Sequence, residues 1–250
     1  MHGMPFFKSM LRFWGYPIHM KIKKEVKNLH FRHEWKHEIT LGDQLVLRQR
    51  LSAVMQRDTH AQGGIYTIRS LYFDDLFDTA LREKLDGVSR RDKFRIRYYN
   101  GDTSFITLEK KSKVAGLCAK RSAPLTADEA QRIVDGDTDW MRESPHELVR
   151  ELHRKMTAGL APKTIVDYTR EPFIYAPGNV RVTLDYDIRT GLGCVDFLNT
   201  ECATVPVPED PIILEVKWDE FLPDQIRDIV QIEGTRTSAF SKYAACRLYD

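Results

Sequence analysis

The sequence lacks the short motifs that mark the common nucleotide-binding and hydrolytic folds. It contains no Gly-x-x-x-x-Gly-Lys phosphate loop, no Gly-x-Gly-x-x-Gly turn and no Gly-x-Ser-x-Gly elbow. Each of those motifs supplies a backbone cradle or a sharp turn that its chemistry requires. The chain is therefore not predicted to be a P-loop nucleotidase, a dinucleotide-dependent enzyme or a hydrolase with a nucleophile elbow.

Cysteine is also scarce. The four cysteines, Cys118, Cys194, Cys202 and Cys246, are widely spaced, and no Cys-x-x-Cys pair is present. Such pairs are typical of zinc sites, and a dense set of cysteines is typical of small secreted domains. The spacing favours reduced thiols in a cytoplasmic protein.

Long apolar runs are missing as well. The first 20 residues are aromatic and basic, but they contain no apolar run long enough to span a bilayer. Residues 1–28 are predicted to be an N-terminal extension, followed by a single domain over residues 29–250 with no transmembrane segment. The net charge of +2 is too small to indicate general nucleic-acid binding.

What the sequence does have is a repeated alternation of charged and apolar residues. In the stretch 105–113, Ile106 and Leu108 share one face, and Glu109, Lys111 and Lys113 share the other. This two-residue period is typical of a β-strand. The other segments of this form are Glu34-x-Lys36-x-Glu38, Arg95-x-Arg97, Tyr168-x-Arg170, Arg181-x-Thr183-x-Asp185 and Glu215-x-Lys217.

Closed into a barrel with their charged faces inward, these strands would form a basic tunnel that contains a few carboxylates. The predicted fold class is α+β, an antiparallel β-barrel tunnel decorated with helices. Alternation alone does not say which face meets solvent, because a half-buried sheet also carries charges on its exposed side. Solvent-facing ion pairs between strands, each contributing little, are the alternative interpretation.

The remaining pattern places the elements along the chain. Helices are predicted at 41–57, 76–85 and 224–232, and two more after the capping-box sequences Thr126–Glu129 and Ser144–Glu147. Asn100-Gly101 predicts a tight hairpin. Residues 113–122 are predicted to be a basic connection, and its Lys113, Lys120 and Arg121 are candidate substrate-binding residues. Strands are predicted at 29–40, 65–73, 90–99, 105–113, 164–171, 180–188, 194–197 and 212–218.

A basic tunnel of this kind suits a chain of phosphates. Each phosphate that loses water needs positive partners, which arginine supplies as a fork and lysine as a point charge. Residues two apart on a strand are separated by roughly 7 Å, which is close to the span of two or three linked phosphates. Arg95 with Arg97, and Lys111 with Lys113, are therefore candidates to bind successive phosphates of such a chain.

The carboxylates require a different explanation, because an anionic ligand would repel them unless a cation lay between. Mg²⁺ or Mn²⁺ is commonly held by one or two carboxylates together with phosphate oxygens and water. Glu34, Glu109 and Glu215 are therefore candidate metal ligands. Phosphoryl transfer at such a metal needs neutralised charge and in-line positioning more than a nucleophilic side chain.

Taken in order, several segments resemble the VTC domain, the polyphosphate polymerase domain of the vacuolar transporter chaperone complex, in the triphosphate tunnel metalloenzyme superfamily. The resemblance runs from Phe31 to Tyr243, nearly the whole chain. The segments are Phe31–Lys36, Ser70–Asp74, Arg91–Tyr99, Leu108–Lys113, Tyr168–Arg170, Arg181–Asp185, Leu214–Lys217 and Ser241–Tyr243.

The resemblance implies synthesis of inorganic polyphosphate from the terminal phosphate of ATP, with a glutamate-held Mn²⁺ or Mg²⁺. It also implies that Tyr168 donates a hydroxyl hydrogen bond, that Glu215 is the leading metal ligand and that Glu34 is a second. The residues implied to bind phosphate are Lys36, Arg95, Arg97, Lys111, Arg170, Arg181, Lys217 and Lys242.

Two departures from the family pattern affect these expectations. His37 stands where a tyrosine is usual, a change expected to affect packing more than chemistry. The sequence also shows neither the regulatory domain nor the membrane helices of the eukaryotic complex. We therefore expect a stand-alone cytoplasmic protein that binds ATP and polyphosphate, with a membrane-associated partner protein needed for any transport. A metal-dependent triphosphatase and a non-catalytic polyanion-binding module are the alternative functions.

Overall fold

The protein is described by a computed structural model over residues 30–61, 63–232 and 239–248. The predicted extension, residues 1–28, lies outside this range. Within the described residues, no helix is both long and apolar enough to cross a membrane.

Antiparallel strands dominate the fold. They are β1 (Phe31–Ile39), β2 (Gln56–Arg57), β3 (Tyr66–Asp74), β4 (Arg90–Tyr99), β5 (Asp102–Val114), β6 (Leu117–Leu125), β7 (Ala161–Tyr175), β8 (Val180–Thr190), β9 (Val205–Pro206) and β10 (Ile212–Trp218). The eight longer strands are hydrogen-bonded in the order β7-β3-β4-β5-β6-β1-β10-β8, and β8 pairs again with β7. This last pairing closes the sheet and confirms the predicted barrel.

Six helices decorate the barrel. They are α1 (Leu41–Val54), α2 (Thr79–Leu85), α3 (Ala127–Val134), α4 (Glu147–Thr157), α5 (Asp224–Ile229) and α6 (Lys242–Cys246), as counted over the described residues. Helix α3 begins with the predicted capping box, in which Thr126 Oγ1 accepts from the backbone N–H of Glu129 and the Glu129 carboxylate accepts from the N–H of Thr126.

The apolar faces of the strands point outward and are covered by helices. Ile96 on β4 and Leu108 on β5 pack with Ile133 of α3 and Leu152 of α4. A second cluster joins Leu47 and Leu51 of α1 to apolar residues of β8 and β10. Since the helices cover the outside, the charged faces line the inside of the barrel, as predicted.

Helix α6 contributes side chains to the barrel interior. Its Tyr243 stacks on Tyr72 of β3, with the ring centroids 5.1 Å apart, and its Tyr243 hydroxyl donates to Asp74 over 2.7 Å. Tyr243 and Cys246 are buried together with Ile213 of β10. The end of the chain thus adds side chains to a lumen that is otherwise built by the strands.

The predicted connection over residues 113–122 is wrong. Strand β5 continues to Val114, and after a two-residue turn β6 begins at Leu117. Both turn residues, Ala115 and Gly116, have positive φ angles of 48° and 89°, as a two-residue hairpin with native twist requires. The basic composition suggested a loop, but the basic residues belong to alternating strand positions.

Several smaller predictions were also wrong. Helix α1 ends at Val54 because residues 56–57 pair with β7, and residues 194–197 form no strand. The second capping box does not form: α4 begins at Glu147 with His146 as its cap, and Ser144 Oγ accepts from the N–H of His146 instead of that of Glu147. Helix α2 begins at Thr79 rather than at residue 76, and α5 ends at Ile229 rather than at residue 232.

Candidate functional site

The inward-facing side chains of β1 and β10 form the first ionic group in the lumen. The register places Lys36 opposite Glu215 and Glu34 opposite Lys217. Lys36 Nζ lies 3.4 Å from the Glu34 carboxylate and 3.1 Å from that of Glu215. Lys217 Nζ lies 3.5 Å from Glu34 and also contacts Glu215. The two carboxylates therefore share the same two ammonium groups.

Strands β5 and β7, each one strand further round the barrel on either side, extend this group. Lys111 Nζ on β5 lies 2.9 Å from Glu34, and the Arg170 guanidinium on β7 lies 3.7 Å from Glu215. Burial by itself would raise the pKa of both glutamates. The surrounding lysines outweigh burial and hold the pKa of Glu34 and of Glu215 well below the usual range. Both side chains are thus carboxylates at neutral pH.

A second group surrounds Glu109 on β5. Its carboxylate lies 2.7 Å from Arg95, 3.6 Å from Arg97 and 3.0 Å from Lys120. Arg95 also donates to the hydroxyl of Tyr72 over 2.7 Å. Although burial opposes ionisation, the two arginines and Lys120 hold the pKa of Glu109 well below its usual range. Glu109 orients three cations, and none of them is an ion-pair partner of Glu34 or Glu215.

Asp185 on β8 is the centre of a third group. Arg170, its register partner on β7, binds it at 2.6 Å, and Lys242 of α6 binds it at 2.6 Å. Asp185 is fully buried, which would raise its pKa, but Arg170 and Lys242 lower that pKa to about 2. The C-terminal helix therefore contributes a cation to the lumen.

Tyr168 lies among the same cations. Its hydroxyl accepts from Arg97 over 3.1 Å, and Lys242 Nζ lies 4.6 Å from the ring centroid. Burial alone would raise the pKa of Tyr168, yet Arg170, Arg97 and Lys242 lower it to about 8. An acidic phenol of this kind is a strong hydrogen-bond donor.

The sequence interpretation missed three residues that point into the lumen. Tyr72 and Asp185 hold Arg95 and Arg170 in place, as described above. Lys93 lies on the inward face of β4 two residues before Arg95, with its Nζ 3.4 Å from Ser241 Oγ and 5.1 Å from the centroid of the Tyr243 ring. The two-residue spacing from Arg95 and Arg97 was the signal that could have identified Lys93.

Lys93 makes no ion pair within the described part of the chain, although it lies next to the paired Arg95 on the same strand face. It is partly buried, and burial is the main reason that its pKa falls to about 7. Lys84, Arg91, Lys111 and Lys36 lower the pKa further, because each repels a second positive charge.

The other predicted residues are not all brought to the lumen. Lys113 lies on the same face of β5 as Lys111, and Arg181 binds Asp58 at 2.9 Å and contacts the hydroxyl of Tyr66. Arg121 is on the outer face of β6, where it pairs with Glu151 of α4. The structure therefore places Lys120 inside and Arg121 outside, and Arg121 is withdrawn as a candidate tunnel residue.

Cations exceed carboxylates within this lumen. The eight lysines and arginines of the three groups face four carboxylates, which leaves four positive charges without a negative one. The cations are Lys36, Arg95, Arg97, Lys111, Lys120, Arg170, Lys217 and Lys242, and the carboxylates are Glu34, Glu109, Asp185 and Glu215. Such an excess in an enclosed space attracts polyanions.

The residues present also fit a divalent cation. In the described ranges, no three His, Cys, Asp or Glu side chains gather closely enough to hold a metal by themselves. Mg²⁺ and Mn²⁺ do not need such a cluster, because one or two carboxylates suffice when phosphate oxygens complete the shell. Glu34 and Glu215 are the ionised pair that meets this requirement.

A closed antiparallel barrel with a lumen of paired arginines, lysines and carboxylates is the architecture of the triphosphate tunnel proteins. The chain belongs to the VTC domain family, whose family model matches residues 31–249. A search of curated proteins found no significant match.

Solved structures match this chain at low sequence identity, and the first of those below has the same fold. A Hippeastrum protein, described as revealing a dominant triphosphatase activity, is 14% identical with a TM-score of 0.55, over 87% of this chain and 95% of its own. An adenylate cyclase candidate from Bacillus halodurans is 15% identical over 74% of this chain and 81% of its own, with a TM-score of 0.44. A Pyrococcus horikoshii protein is 11% identical over 85% and 96%, with a TM-score of 0.42.

Proposed function

We propose that this protein is a polyphosphate polymerase that transfers the γ-phosphate of ATP to a growing polyphosphate chain inside the tunnel. The observation that carries the proposal is the enclosed excess of cations around Glu34 and Glu215. ATP and polyphosphate are the proposed substrates, Mn²⁺ or Mg²⁺ the proposed cofactor and the cytoplasm the proposed compartment.

The lumen cations would bind the phosphates. Arg95, Arg97 and Arg170 present forks that match phosphate oxygens, while Lys36 and Lys111 supply point charges. In the free protein each of these groups is held by a carboxylate, so it is already positioned when the phosphates arrive. This preorganisation reduces the cost of ordering long side chains at the moment of binding.

The metal would be held by Glu34 and Glu215 and would neutralise charge on the phosphates when bound. The barrel wall would exclude bulk water, which strengthens every ionic contact inside it. Tyr168, with its pKa of about 8, would donate a hydrogen bond to a phosphate oxygen. The proposed reaction needs in-line positioning of the attacking chain end rather than a covalent intermediate.

A second candidate, a triphosphatase, would use the same side chains and differ only in its acceptor. Support for it comes from the triphosphatase activity described for the Hippeastrum protein of the same fold. In a polymerase the end of a polyphosphate chain receives the phosphoryl group, whereas in a triphosphatase water does. A third candidate is a module that binds polyanions without turnover, and it would not need Glu215 to be ionised.

The deciding experiment is to incubate the purified protein with ATP and Mn²⁺, separate the products on a polyphosphate gel and assay ADP and free phosphate. A ladder with matching ADP is expected from the polymerase. Free phosphate without a ladder would identify a triphosphatase, and neither product would favour a binding module.

Two glutamine variants refine this experiment. Glu215→Gln removes a charge from the lumen, whereas Glu151→Gln removes one from the outer surface, where it binds Lys110 and Arg121. We expect Glu215→Gln to abolish turnover and Glu151→Gln to retain it. Turnover that survives in Glu215→Gln would refute the assignment of this residue to the metal.

A further inference from the structure

Two cysteines come together on the outside of the barrel. The segment 191–204, which connects β8 to β9, carries Cys194 and Cys202, and their sulfur atoms are 2.9 Å apart. Both side chains are free thiols and both are partly exposed to solvent. Their separation of eight positions gave no sign of this contact, because neither zinc-type spacing nor a repeated cysteine pattern is present.

The backbone holds both cysteines in place independently of the contact between the sulfurs. The carbonyl of Cys194 accepts from the N–H of Ile165 on β7 over 3.1 Å. The carbonyl of Cys202 accepts from the Arg69 guanidinium of β3 over 3.4 Å, and the N–H of Cys202 donates to Asn199 over 3.0 Å. Two anchored chain positions therefore face each other, which is the condition that disulfide geometry sets.

We propose that Cys194 and Cys202 form an oxidisable dithiol, which glutathione disulfide or a similar small disulfide converts to an intramolecular disulfide. One thiol loses its proton, attacks a sulfur of glutathione disulfide and displaces a first glutathione thiolate. The second protein sulfur then attacks the mixed disulfide and displaces a second glutathione, so that two protein thiols are oxidised and two glutathione thiols are produced.

The remaining cysteines occupy different surroundings. Cys118 is buried on β6 beside the Glu34 carboxylate, and Cys246 is buried on α6 with its thiol donating to the carbonyl of Arg189. A bond between Cys194 and Cys202 would fasten the segment 191–204 where it contacts Arg69. Arg69 in turn binds Asp167, which precedes the lumen residue Tyr168 on β7. The disulfide would thus stiffen the outer support of that strand.

The test is to expose the folded, full-length protein to glutathione disulfide, count its thiols and digest it with trypsin. We expect two of the four thiols to disappear. Trypsin releases both cysteines in one peptide, from Thr190 to Lys217, which should become lighter by the mass of two hydrogen atoms. Dithiothreitol should restore both the thiols and the mass.

Cysteine variants and the melting temperature distinguish a Cys194–Cys202 disulfide from oxidation at the other cysteines. Cys246→Ser should still lose two thiols, whereas Cys202→Ser should form no internal disulfide. The oxidised wild-type protein should melt roughly 5 °C higher than the reduced protein, as expected for a bond that closes a short loop without distortion. The proposal is refuted if the peptide keeps its mass while the thiols remain titratable, or if the lost thiols map to Cys118 or Cys246.

Discussion

Glu34 and Glu215, on neighbouring strands, share the ammonium groups of Lys36 and Lys217. Each carboxylate is thus already neutralised by lysine before any ligand arrives. A divalent cation entering alone would have to displace these lysines and would be repelled by them. Phosphates change the balance, because they bind the lysines and leave the carboxylates available to the metal.

We therefore expect metal and phosphate to bind with positive coupling. Mn²⁺ alone should leave the melting temperature almost unchanged, tripolyphosphate alone should raise it, and the two together should raise it further. A coupling of roughly tenfold or more in affinity is expected, within the usual range for linked sites. Thermal unfolding under the four ligand conditions measures this coupling.

The matched variant for this prediction is Glu215→Gln, compared with its own unliganded melting temperature. It should respond to tripolyphosphate but should lose the additional increase caused by Mn²⁺. Stabilisation of the wild-type protein by Mn²⁺ in the absence of phosphate would show that the lysines do not block the metal.

Glu109 is expected to organise cations rather than to bind metal. Its buried carboxylate holds Arg95, Arg97 and Lys120. Glu109→Gln leaves buried cations unpaired and should lower the free energy of unfolding by about 3 kcal/mol, as measured by urea denaturation. Tripolyphosphate should restore more stability to this variant than to the wild-type protein, because phosphate supplies the missing negative charge.

The Mn²⁺ response distinguishes this role from metal binding. Glu109→Gln should keep the additional Mn²⁺-dependent increase in melting temperature that Glu215→Gln loses. If both variants lose it equally, Glu109 belongs with the metal ligands and the separation of the two groups is wrong.

Lys120 and Arg121 provide a comparison between adjacent residues on opposite sides of one strand. Lys120 Nζ is in the lumen, 3.0 Å from Glu109, and Arg121 binds Glu151 outside. Lys120→Ala should weaken polyphosphate binding roughly threefold at low salt, a modest effect because the side chain is 57% exposed. Arg121→Ala should not change the affinity.

Calorimetric titration of both variants with polyphosphate, at low and at high salt, measures these affinities. The effect of Lys120→Ala should shrink as salt rises, since screening weakens contacts between exposed charges. A loss of affinity in Arg121→Ala equal to that in Lys120→Ala would place the polyphosphate on the outer surface.

The same two residues show how far sequence reasoning could go. The period of two predicted most strands, and their inward charges followed from closure of the barrel. β6 was missed because its inward face, Cys118-x-Lys120-x-Ser122, is weakly charged, while Ala115-Gly116 and the basic composition suggested a loop. Lys120 could be assigned to the inner face and Arg121 to the outer face only if β6 was first recognised as a strand.

Asp185 illustrates a different limit. Its spacing from Thr183 was visible, but its importance depends on the register that places it opposite Arg170 and on the helix that brings Lys242 to it. Register and the position of a distant helix are set by tertiary packing, which local pattern does not encode. The contact between Cys194 and Cys202 was invisible for the same reason.

Lys93 should make phosphate binding depend on pH. Its pKa of about 7 means that it is largely neutral above that pH in the free protein, whereas a bound polyanion favours the charged form. Binding then requires uptake of a proton, so the affinity should fall as pH rises above 7. The decrease should approach roughly fivefold between pH 7 and pH 8 if the bound lysine is fully protonated.

Lys93→Met isolates this contribution, because methionine has a similar volume and does not titrate. Protonation of tripolyphosphate itself affects both proteins equally, so the difference between their pH profiles belongs to Lys93. We expect the wild-type protein to bind more tightly at pH 6.5 and its advantage over Lys93→Met to shrink as the pH rises to 9, as measured by calorimetry. If the pH profiles of the two proteins are parallel over this range, the bound phosphates do not reach Lys93, and the tripolyphosphate lies nearer to Glu109.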